Sequence, residues 1–165
     1  VVRVVVPGEL FGIARALQRT DYPGTAMAAT ESIALAWPIS CWDPILKRHP
    51  PFAINAMRTI GGRLEEAHAR IREISTEAVE RRVAHAVLRL AHQSGRREEG
   101  GIRIDFPLSK QDIAELTGTT LFTVSRIVSA WEAAGLVDAG RRKLLIRDPH
   151  RLLLIADGLE AGQWR

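Results

Sequence analysis

Apolar positions along this chain change their period several times, and each change predicts an element. Residues 1–40 are rich in Val, Ala, Thr and Gly and are broken by Pro7-Gly8, Gly12 and Pro23-Gly24, the pattern of short strands joined by turns. The opening run Val1 to Val6, interrupted by Arg3, reads as a strand rather than a signal peptide. Ser40 is placed to cap a short helix reaching Lys47 or Arg48, and His49-Pro50-Pro51 stops that helix and opens the next. From Phe52 to about Ile74 there is no proline, and Ile54, Met57, Gly61, Leu64, His68 and Ile71 fall alternately three and four positions apart, a heptad seam. A second stripe through Ile60, Leu64, Ala67, Ile71 and Ile74 overlaps it, so this helix has apolar surface for two neighbours. Arg58, Arg63, Glu65, Glu66, Arg70, Arg72 and Glu73 mark its solvated face. A core helix of a monomer would carry the same stripe; Gly61-Gly62, which permits close backbone approach, favours a homodimer helix.

Ser75-Thr76-Glu77 reads as a break and a new cap, followed by an amphipathic helix with Val79, Val83, Ala86, Val87, Leu90 and Ala91 inward and its end at Ser94-Gly95. Residues 96–101 read as a polar linker, and Ile102, Ile104 and Phe106 as a strand closed by Pro107. Ser109 then caps a helix with Ile113, Ala114 and Leu116 inward and Gly118 as its stop. Thr119-Thr120 starts another, with Leu121, Val124, Ile127, Val128 and Trp131 apolar and Gly135 as its stop. Two short helices around a glycine turn form a helix-turn-helix, whose second helix enters the major groove of DNA.

On that second helix the exposed positions near the amino end are Thr120, Leu121, Phe122, Thr123, Ser125 and Arg126. Arg126 suits a bidentate contact with guanine O6 and N7, while Thr120, Thr123 and Ser125 suit phosphates or base edges. Lys110 and Gln111 are placed to hold the DNA backbone. Phe122 has two readings, contact with a thymine methyl or half-buried packing. Two short strands then flank a basic turn, Arg141-Arg142-Lys143, which reads as a wing touching phosphates or as a solvated turn. Asp148-Pro149 opens a last helix carrying Leu152, Leu153 and Ile155, with a frayed tail expected from Gly158.

The net charge of +4, from 23 Lys and Arg against 19 Asp and Glu, favours a polyanionic partner. Cys41, the single cysteine, excludes an internal disulfide and a complete iron–sulfur ligand set within this sequence, and reads as a buried structural thiol. No apolar run has the ~20 residues needed to span a bilayer, so a cytoplasmic, membrane-free protein is expected. Of His49, His68, His85, His92 and His150, only His85 and His92 share a helix-face spacing, so no metal site is expected. His68 falls in the seam, where protonation would bring two like charges together. No nucleophile elbow, P-loop or His-Glu zinc motif suggests an enzyme. The alternative to DNA binding is an assembly module that uses the winged helix and coiled-coil helix for protein contacts alone.

Pro7-Gly8-Glu9-Leu10-Phe11-Gly12, Glu80-Arg81-Arg82-Val83-Ala84, the stretch from Leu108 to Gly118, and Thr123-Val124-Ser125-Arg126 together resemble the Crp/Fnr family of bacterial regulators. The resemblance implies an α+β chain: 1–50 as the C-terminal part of a β-roll sensor resembling cyclic-nucleotide-binding domains, 51–75 as the dimerisation helix, and 76–165 as the winged helix-turn-helix domain. It also implies a missing amino-terminal half of the sensor, a homodimer on palindromic double-stranded DNA, and contact with RNA polymerase. Where cyclic-nucleotide-binding relatives carry a ribose-holding glutamate and an Arg-Ser or Arg-Thr pair, this chain has Ile13 and Gly24-Thr25, so cyclic AMP is not the expected effector. Tyr22-Pro23 and Ala36-Trp37-Pro38 look similar to the nitric-oxide-responsive branch, which points to haem as a candidate cofactor. Phe122 stands where the family often has a glutamate, and Thr120-Leu121 where some relatives have an arginine, so base preference should depart from theirs.

Overall fold

A computed structural model of the chain describes residues 3–14, 17–22 and 24–159. Val1 and Val2 of the expected first strand, Pro23 and the tail beyond Leu159 lie outside the described residues. Packing divides the chain into two units, one comprising Val5–Arg70 and the other the residues from Ile71 on, with which Arg3 and Val4 cluster.

In the first unit, the strands expected before residue 40 are not formed among the described residues. Turns and extended backbone take their place, and Met27, Ile33, Leu35 and Trp37 are exposed. The physical reason is that alternating apolar residues specify a face, whereas a strand also needs a partner for its N–H and C=O groups. The Pro7-Gly8 turn does form: Gly8 has φ 84° and the Glu9 N–H donates to Val6 O at 3.1 Å. A 3-10 turn, Ile39–Cys41, leads into α1 (Trp42–Arg48). Ser40 therefore lies inside that turn rather than capping α1, whose N-cap is Cys41 and has no side-chain cap. Cys41 itself is half-buried, not buried.

Helix α2 (Pro50–Thr76) contributes to both units and begins, as expected, at the prolines. Its seam is open to solvent in the single chain: Ile54, Met57, Leu64 and Ile71 are 47%, 64%, 56% and 62% exposed, and Gly61 and His68 are exposed beside them. Of this helix's residues only Ala56 is buried. On the polar side Arg63 donates to Leu10 O, and Glu73 pairs with Arg89 at 2.6 Å.

The second unit carries the core. Helix α3 (Val79–Ser94) lies deepest, with Val83, Ala84 and Val87 fully buried. Its start is not capped by Ser75 or Thr76, whose hydroxyls fold back onto Ile71 O and Arg72 O and leave Ala78 as the N-cap. The expected linker after Ser94 is instead a strand, β1 (Gly95–Glu98), paired antiparallel with β2 (Gly101–Ile104). A Cβ at Gly101 would stand 2.1 Å from Ile146 O, with φ at +154°, which confines this hairpin end to glycine.

The remaining elements are α4 (Lys110–Thr117), α5 (Leu121–Ala133), β3 (Val137–Gly140), β4 (Lys143–Ile146) and α6 (Pro149–Asp157). The sheet order is β1-β2-β4-β3, antiparallel throughout, so the wing strands extend the earlier hairpin. Ile104, Leu136, Val137, Leu144 and Ile146 meet the helices from this sheet and its approach. At α6 the Asp148 side chain accepts from the Arg151 N–H and Pro149 occupies the first turn. Of the apolar residues the last helix carries, Leu152 and Ile155 are buried, whereas Leu153 is exposed. The fold is α+β, with all strands of the described residues in the second unit.

Candidate nucleic-acid interface

Helix α4 starts with a capping box: Asp112 N–H donates to Ser109 Oγ at 3.1 Å and Ser109 N–H donates to Asp112 Oδ2 at 2.8 Å. The reciprocal Ser-x-x-Asp spacing was legible in the sequence, although only the serine stood out there. Gly118 ends the helix in the left-handed region (φ 64°, ψ 41°), and the Thr119 N–H returns to Ala114 O at 3.0 Å. Ala114 is buried, as a close crossing of α5 requires.

Thr120 then caps α5, accepting from the Thr123 N–H at 3.2 Å, and the two hydroxyls lie 2.9 Å apart. These threonines were expected at DNA; the structure gives them a local task as well, fixing the first turn of α5. Val124, Ile127, Val128 and Trp131 fill the inward face, and the Trp131 indole N–H donates to Glu80 Oε1 at 2.9 Å. The opposite side presents exposed Arg126 and half-buried Ser125. Leu121, read both as one of the helix's apolar positions and as one exposed near its amino end, is 47% exposed, because it occupies the first position of the helix, outside the inward stripe. Phe122 is 76% exposed, which removes its packing reading.

The wing is held by two contacts that the sequence did not suggest. Glu132 on α5 accepts from the Ala139 N–H at 3.1 Å, and the Leu108 N–H, just before α4, donates to Arg142 O at 3.2 Å. Arg142 takes φ 57° in the turn between β3 and β4. The second contact brings the turn to the amino end of α4, where Lys110, Arg141, Arg142 and Lys143 line one groove of about 400 Å³ with Ser109. The three wing cations are exposed and Lys110 is half-buried. Gln111, expected alongside Lys110, instead donates to Glu115 Oε1 at 2.9 Å. Among the described residues no three His, Cys, Asp or Glu side chains gather as a metal site, and no helix is long and apolar enough to cross a membrane.

A capped helix pair, a left-handed glycine turn and a basic two-stranded wing define a winged helix-turn-helix. A family model described as the Crp-like helix-turn-helix domain matches residues 81–155. The chain is 31% identical over 153 residues to the cyclic AMP receptor protein of Thermus thermophilus, covering 93% of this chain and 68% of the relative. It is 28% identical over 132 residues to the global nitrogen regulator of a Synechocystis strain, covering 80% and 59%. The chain thus spans roughly three-fifths to two-thirds of the length of these curated relatives. A solved CRP-family transcriptional regulator, also of Thermus thermophilus, superposes with a TM-score of 0.78 at 25% identity, covering 94% of this chain and 76% of that one. The chain belongs to the Crp/Fnr family of transcription regulators.

Proposed function

We propose that this chain is the dimerising and DNA-reading part of a cytoplasmic, sequence-specific transcription regulator, a homodimer on a two-fold-symmetric operator whose signal is not cyclic AMP. Residues 1–50 then belong to the sensor, 51–75 to the dimer helix and 76–165 to the DNA-binding domain. The observation that carries the reading is the groove where four cations meet at the amino end of α4, beside the helix that presents Arg126. Arg126 reads guanine, Ser125 and the threonines bond phosphates or base edges, and Lys110 with Arg141, Arg142 and Lys143 neutralises backbone phosphates. The solvent-exposed seam of α2 supports the dimer. The Thermus relative is named for cyclic AMP, but the family resemblance sets Gly24-Thr25 where nucleotide-binding relatives hold the phosphate with an arginine, and the loss of that charge-assisted contact is worth about 2–3 kcal/mol.

Selection from random duplexes, followed by binding titrations across salt, tests this. A palindrome should emerge, and added cyclic AMP should leave its affinity unchanged. Arg126→Ala should lose about 1–3 kcal/mol of discrimination at one base pair of each half-site. Arg141→Ala should weaken all sequences alike and make the salt slope shallower by about one charge. Parental discrimination in the first variant, or a parental slope in the second, would remove that residue from the interface.

A further inference from the structure

Phe122 is the only exposed aromatic side chain among the described residues from Ile71 on: Trp131 is buried and Phe106 half-buried. The inward face of α5 is already filled by Val124, Ile127, Val128 and Trp131, so the ring has no place in the core. Its backbone is not free to turn the ring elsewhere, since Thr120 caps the first turn through the Thr123 N–H. Leu121, 47% exposed, adjoins it, so the amino end of the helix offers an apolar surface where base edges are read. A phenyl ring donates and accepts no hydrogen bond. The one apolar feature on the major-groove edge of the four base pairs is the C5-methyl of thymine.

We propose that Phe122 is a specificity-determining residue that packs on the C5-methyl of a thymine within two base pairs of the guanine read by Arg126. The inference rests on the DNA-binding reading above. The spacing follows from the helix: four residues advance about 6 Å along α5, and successive base pairs are about 3.4 Å apart.

The test starts from the operator selected by this chain and replaces that thymine by deoxyuridine in each half-site, which removes the methyl group alone. Losing contact with one methyl should weaken binding about fourfold per half-site, or about fifteenfold for both. Phe122→Ala should bind the thymine and uracil operators within about twofold of each other, with an unchanged melting temperature because the ring is exposed. A parent chain indifferent to uracil overturns the proposal, as does full methyl dependence in Phe122→Ala. A selected half-site without thymine near the guanine overturns it while leaving DNA binding intact. Selection of no sequence at all overturns the DNA-binding reading, and this inference with it.

Discussion

Replacing Leu64 with lysine should convert a tight operator binder into one weaker by about 10²–10⁴-fold, with the helix-turn-helix still folded. Leu64 lies midway along the α2 stripe and is more than half exposed in the single chain, as are Met57 and Ile71. In a parallel two-fold seam the two copies of one heptad position face each other, so the substitution sets two ammonium groups together where two leucines would have lost contact with water. Each DNA-binding unit would then meet its half-site alone, without the effective concentration that linkage provides, and that is the source of the magnitude. Light scattering should report half the parent's mass at concentrations where the parent is dimeric, and titration at fixed salt should report the lost affinity. The core of the second unit does not include Leu64, so its unfolding midpoint should hold. A variant that stays dimeric with parental affinity would place the dimer interface elsewhere.

What the sequence could say about this fold depended on how local the determining chemistry is. Ser109, Gly118, Thr120, Gly135 and Asp148-Pro149 act within four residues of themselves, through caps, positive φ values and a pre-set φ, and the helices they bound stand where expected. Strand β1 escaped notice because all its residues are exposed; its order comes from pairing with β2, and no apolar alternation records that. The reverse failure occurred before residue 40, where apolar residues were present but no ladder formed among the described residues. At the candidate site the residues proposed to read DNA were picked out by type and position. Their assembly was not: the bond from Leu108 to Arg142 O that gathers Lys110 with the wing joins segments over 30 residues apart. Phe122 needed the structure for a different reason, since a helix-surface aromatic and a half-buried one have the same spelling.

Arg82 is the residue whose role has no local signature, and its removal should be strongly destabilising to the second unit. It is 9% exposed, and its Nε donates to Thr117 O at 3.2 Å while Nη1 donates to Glu77 O at 2.9 Å. Thr117 O belongs to the last turn of α4, where carbonyls lack intrahelical partners and the helix dipole favours a cation. Glu77 O lies at the junction of α2 and α3, so one guanidinium ties that junction to the first helix of the DNA-reading pair. Arg82→Met keeps much of the volume but removes the donor from two carbonyls, one in a buried bond and one in a part-buried bond. Relief from desolvating the guanidinium offsets part of the loss; because the acceptors stay behind, the unpaired groups decide the sign, and about 3 kcal/mol should be lost. Arg82→Lys should recover less than half, since an ammonium on a flexible stem does not reproduce the planar fork that spans both acceptors. Urea unfolding of the two variants and the parent measures this directly. A loss under about 1 kcal/mol, or full rescue by lysine, would mean that packing rather than this bridge holds α4 in place.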